Sequence, residues 1–154
     1  FNLLMIDLAA AGPQACCLSN RDAGPLPLAP GVYGLSNHLI DTPWPKVERL
    51  KQAVHDSLRA DESDDVLERR LFEALADRDI ADDALLPRTG VPLERERMLA
   101  PAFVSSPDYG TRASTVLLAD RDGQVRFAER TWDNADTAPG QFRERRFGFR
   151  MSGR

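Results

Sequence analysis

The alternation of apolar and polar positions changes character twice along the chain, and each change marks a new kind of element. Residues 1–8, FNLLMIDL, run almost continuously apolar, and QACCLSN follows after AAAGP. Short apolar runs bounded by turn residues read as strands, so these two segments predict a strand pair, the first of them buried. From residue 47 the period lengthens. Val47, Leu50, Val54 and Leu58 share one helical face, with Lys46, Glu48, Arg49 and Lys51 outside it. Thr42 is placed to cap this helix, with Pro43 in its first turn. Ser63 is placed to cap a second helix, with Asp64 and Asp65 at the positive end of its dipole and Leu67, Leu71 and Leu75 as a ridge flanked by Phe72. PRTGVP breaks the pattern and LERERML predicts a short helical piece. After Pro101 the pattern turns to strands: AFVSS, RASTVLLA, QVRFAERTW and RRFGFRM, with DRDG as a tight connection. Phe147, Phe149 and Met151 share a parity that Phe142 lacks, so the last strand starts late or carries a bulge. Strands, two helices, then strands predict an α+β arrangement with antiparallel sheets, and no βαβ repeat.

Composition narrows the functional classes. With 154 residues, 42% of them hydrophobic, the chain suits one domain with a core. A net charge of −4 and arginines scattered among acids give no footprint for nucleic acid. No run approaches the roughly 20 apolar residues of a membrane span. Cys16 and Cys17 are sequence neighbours, and adjacent Cα atoms at about 3.8 Å are too close for an unstrained disulfide. They are expected to be free thiols in a reducing, cytoplasmic compartment. The chain opens without an initiator methionine inside what reads as a strand, so an upstream part is expected to be missing.

Two dense stretches hold the candidate chemistry. GVYGLSNHLIDTPWPK, residues 31–46, mixes glycines around Tyr33, the amide of Asn37, His38, and Trp44 between two prolines, and such a segment is expected to pack against something. SSPDYGTRAST, residues 105–115, places Arg112 at the mouth of an apolar run, where its charge needs a match from a carboxylate such as Asp108 or from a ligand. His55 lies at the boundary of the first helix's apolar face. There is no nucleotide loop, zinc pattern or paired-histidine motif, so no cofactor is expected.

Taken together, GVYGLSNHLIDTPWPKV, PDYGTRASTVLL and FAERTW resemble the NRDE family, and the resemblance runs in order over essentially all 154 residues. The family's name-giving Asn-Arg-Asp-Glu motif, which follows an N-terminal cysteine, has no counterpart here. Asn20, Arg21 and Asp22 are followed by Ala23 and look like a turn. The chain therefore resembles the C-terminal part of the family, with 1–154 as a single domain. The resemblance implies an αββα sandwich of the N-terminal-nucleophile-hydrolase type lacking its N-terminal strands. It implies Asn37 as an oxyanion donor and Arg112 as the arginine beside a nucleophile that is absent. It also implies haem trafficking or the handling of small lipid-related metabolites, with Tyr33, His38, Trp44, Asp108 and Tyr109 around the ligand. Haem would then be cargo, and the chain a carrier with no catalysis of its own. The alternative is a cysteine-dependent hydrolase of non-peptide amides once the N-terminal part is present. Self-association is expected of a sheet left with a free edge.

Overall fold

The protein's structure is a computed structural model that describes residues 1–8, 14–132 and 141–151. It is a mixed α+β fold with two three-stranded antiparallel sheets and three α-helices among the described residues. The first sheet holds β1 (Asn2–Asp7), β2 (Gln14–Ser19) and β3 (Leu26–Leu28), in that order. Leu4 stands opposite Cys17, and Cys16 stands opposite Pro27. β3 lies in the proline-rich stretch that reads as a connector. Proline lacks the ladder donor, and it is accommodated here because β3 is an edge strand. The first strand is not buried as expected. Leu3, Leu4, Met5 and Ile6 are each at least 43% exposed, because β1 is the other edge of a sheet that leaves it open to solvent.

The helices are α1 (Pro45–Arg59), α2 (Asp64–Leu75) and α3 (Leu93–Leu99). α1 is capped by Trp44, with Pro45 in the first turn, two residues later than Thr42 and Pro43 predict. The Thr42 hydroxyl is committed instead to Leu39 O at 2.7 Å. Of the predicted face, Val47 is buried and Leu58 is exposed. In α2, capped by Ser63, Phe72 is the centre of the core and not a flank: it is 2% exposed and packs with Val116 and Ala128, with Leu71 and Leu75 around it.

The second sheet holds β4 (Ala113–Ala119), β5 (Gln124–Thr131) and β6 (Arg143–Arg150), in that order. Gly123, at φ 78°, closes the tight β4–β5 connection. β6 starts late and pairs without interruption from Arg143, and Phe142 outside it packs on Trp132. One face of this sheet meets α2 through Val116 and Ala128, and there the buried Glu68 accepts from Arg146 at 2.9 Å. The opposite face leaves Leu117, Phe147 and Phe149 exposed. AFVSS is not a strand. Its backbone bonds go elsewhere, Phe103 N to Asp77 O at 2.7 Å and Thr111 N to Val104 O at 2.9 Å, while Phe103 meets Trp132 edge-on at 4.8 Å. No helix among the described residues is long and apolar enough to cross a membrane.

Candidate functional site

The segment 31–44 has no regular structure of its own, yet it is closed at its base. Gly34 N donates to Asp41 Oδ1 at 2.8 Å and Asp41 N donates to Gly34 O at 2.7 Å. Asp41 takes a left-handed conformation at φ 55°, which aspartate tolerates better than most residues. Lys51 on α1 donates to the same carboxylate oxygen at 2.8 Å. The Lys51 contact, then the Gly34 amide, holds the Asp41 carboxyl below its usual range. Gly34 is required by closeness: a methyl group there would collide with Cγ1 of the buried Val47. On the other side, Asn2 of β1 donates to Ser36 O at 3.1 Å and to His38 O at 2.9 Å. Residues 36–38 are thus pinned between the first sheet and α1.

Beside this loop opens a cleft of about 670 Å³, within the roughly 300–1,000 Å³ usual for small-molecule sites. Asn37, His38 and Trp44 line it from the loop, Lys46 from the first turn of α1, and Tyr109 from the segment before β4. Arg88, in the loop ahead of α3, and Arg21, in the turn after β2, line it as exposed residues. Glu96 on α3 is the one acid among the described lining residues. One of its oxygens, Oε1, accepts from Thr89 N at 2.7 Å and from Thr89 Oγ1 at 2.6 Å, and it secures the loop that carries Arg88. Two guanidinium groups and the Lys46 amine therefore stand against one carboxylate among the described lining residues, on a chain of net charge −4.

Lys46 is the most constrained of these cations. Its Nζ donates to Leu99 O at 2.8 Å and lies 6.0 Å from the centre of the Trp44 ring. Burial pushes its amine below the usual lysine range, with no acid opposing the shift. His38 Nδ1 is 2.9 Å from Thr42 Oγ1. Because Thr42 spends its only proton on Leu39 O, the hydroxyl oxygen accepts and Nδ1 donates. A neutral His38 then keeps its lone pair on Nε2.

Of the residues singled out by sequence, Asn37, His38, Trp44 and Tyr109 share this cleft, and Tyr33, Asp108 and Arg112 do not line it. The Tyr33 hydroxyl donates to Ala29 O at 2.9 Å. Arg112 is exposed just ahead of β4, so water meets its charge and no carboxylate is needed; Asp108 is exposed as well. The triplet at 20–22 is the expected turn, with Asp22 N on Ser19 O. Arg21, Lys46, Arg88 and Glu96 were not anticipated. One compositional signal was available: of 20 basic residues, Lys46 and Lys51 are the two lysines. Both cysteines are free thiols on β2, and neither lines the cleft. The described residues hold no cluster of three or more metal-binding side chains.

Comparison with known proteins follows the same residues. The profile of the family described as "Transport and Golgi organisation 2" matches residues 1–134. The chain is 37% identical over 147 residues to the "Transport and Golgi organization protein 2 homolog" of Bos taurus, covering 88% of this chain and 52% of the relative. It is 34% identical over 158 residues to the Homo sapiens protein of the same name, covering 96% and 56%. Against the "Transport and Golgi organization 2 homolog" of Mus musculus it is 33% identical over 149 residues, covering 90% and 52%. The chain thus spans about half the length of the curated relatives it matches. On the profile and on these relatives alike, the chain belongs to the transport and Golgi organisation 2 family.

Proposed function

We propose that the chain carries a flat, carboxylate-bearing small molecule in the cleft beside residues 36–46, and that haem, the ligand implied by the family resemblance, is that cargo. The observation that carries this is the charge pattern: Lys46, Arg21 and Arg88 line one cleft with Trp44 and Tyr109, against one carboxylate among the described lining residues, whose Oε1 accepts from Thr89. Ammonium and guanidinium groups bind carboxylates by charge-assisted hydrogen bonds, and Trp44 offers a face for a planar ring. His38 Nε2, with its lone pair free in the neutral ring, supplies a nitrogen for the iron of the cargo. This carrier acts in a reducing, cytoplasmic setting, in keeping with two free thiols. The two sheets and their helices are read as layers of an αββα sandwich of the N-terminal-nucleophile-hydrolase type, with 1–154 as the C-terminal part of one domain. The exposed edge of β1 makes association of the isolated chain part of the same proposal.

Spectroscopic titration with hemin tests the carrier reading. Lys46→Met is expected to weaken binding about tenfold to a hundredfold, the worth of one charge-assisted contact of roughly 1.5–3 kcal/mol. Arg121→Ala, in the β4–β5 turn, controls for net charge. Equal weakening in the two variants would defeat the reading, and weakening by Arg112→Ala alone would move the site to the mouth of β4. A second reading, amide hydrolysis of the N-terminal-nucleophile type in a longer protein, is favoured by Asn37. Asn37 lines the cleft, is exposed, and its side chain makes no hydrogen bond among the described residues, which leaves the amide available to an oxyanion.

A further inference from the structure

The two lysines sit five residues apart on one helix with different partners. Lys51 is a half-buried amine clamped to Asp41, and that contact pushes it above the usual lysine range. Lys46 is half-buried in the cleft, forms no ion pair among the described residues, and is held only by the carbonyl of Leu99. That carbonyl takes one of three donor positions on the ammonium and leaves the others for whatever enters the cleft. Burial around Lys46 disfavours its proton. It lies in the first turn of a 15-residue helix, at the positive end of the dipole. Arg21 and Arg88 line the same cleft, and Glu96 gives one carboxylate oxygen to Thr89. His38 also lines it. A lysine kept from its proton in this way is the kind that forms Schiff bases.

We infer that Lys46 Nζ forms a reversible imine with aldehydes or ketones that also carry an anionic group. The inference rests on the reading of the cleft as an anion-binding site. The ammonium first gives a proton to solvent. The neutral amine's lone pair then forms the C–N bond at the carbonyl carbon while the carbonyl oxygen gains a proton. The resulting carbinolamine loses its hydroxyl group, with a proton, as water when C=N forms. Water is the only by-product, and nothing is oxidised or reduced. Arg21 and Arg88 select for the anionic group, and the Trp44 ring supports a planar carbonyl compound.

Pyridoxal 5′-phosphate is a suitable probe, since it combines a planar aldehyde with an anion. The chain is treated with it near neutral pH, the adducts are fixed with borohydride, and labelled peptides are mapped by mass spectrometry. Lys46 lies below the usual lysine range and Lys51 above it, so a larger fraction of Lys46 is neutral and it is expected to label several-fold faster than Lys51. Pyridoxal, which lacks the phosphate, is expected to label Lys46 more slowly. Lys46→Arg keeps the charge and should abolish the adduct. Lys51 labelling as fast as Lys46, or pyridoxal matching its phosphate, overturns the inference. If hemin binding still depends on the Lys46 charge in that case, the carrier reading stands and only the covalent step falls. If the adduct forms while hemin affinity ignores Lys46→Met, the imine stands and the carrier reading falls.

Discussion

Asp41 shows how much of the site hangs on single groups. Its carboxylate takes hydrogen bonds from Lys51 and from the Gly34 amide, and so ties the loop bearing Asn37 and His38 to α1. The folded carboxyl is held below its usual range, so its stabilisation is complete above the unfolded carboxylate range and is lost as pH falls through the folded value. Lys51 is raised by the same contact; its share is present below the usual lysine range and lost as pH rises through its folded value. Both hold at neutral pH, and acid releases the loop first. Between pH 6 and pH 3 the urea midpoint of the chain is expected to fall more steeply than that of Asp41→Asn, and parallel curves would show that the clamp stabilises nothing. At this scale the sequence was a partial guide. Asn37, His38, Trp44 and Tyr109 stood out because unusual residue types clustered there, and they do share a cleft. Lys46, Arg88 and Glu96 come together from segments 88–96 and 46, far apart in the chain, and no local pattern reports such a meeting.

The elements divide by what set them. α2 was legible because cap, dipole acids and apolar ridge all agree, and the late start of β6 followed from the parity of its phenylalanines. AFVSS misled because two buried apolar residues in a short run suit an irregular segment packed on Trp132 as well as a strand. β3 was hidden because prolines are common in connectors as well as at sheet edges. The two outer strands differ in what they can recruit. Beside an antiparallel copy of itself, β1 can place Asn2 opposite Asp7, Leu3 opposite Ile6 and Leu4 opposite Met5, with no like charges facing. β6 carries Arg143, Arg145, Arg146 and Arg150, which repel a copy. The isolated chain is therefore expected to associate through β1, and Met5→Lys should shift it towards monomer in sedimentation equilibrium. An unchanged distribution, or a wild type that is monomeric at high concentration, would exclude that edge.

For the molecule as a whole, the separation of thiols from cleft governs what the chain can do alone. Cys16 and Cys17 lie on β2, and neither reaches the cavity that Asn37 lines. No turnover of acyl amides is expected from the 154-residue chain. Hydrolysis that survives replacement of both cysteines would contradict the assignment of Asn37 to a thiol-dependent oxyanion site. Trp44 joins two roles that are usually kept apart. Its carbonyl accepts from Val47 N at 2.8 Å and Glu48 N at 3.0 Å, opening the hydrogen-bond ladder of α1, while its ring forms a wall of the cleft. A guest that immobilises the indole therefore also protects the first turn of α1 from fraying, and occupancy and helix initiation become one thermodynamically linked event. Deuterium uptake at the amides of residues 47 and 48 would then report the loading of the cleft, whatever the guest, without a chromophore or a label.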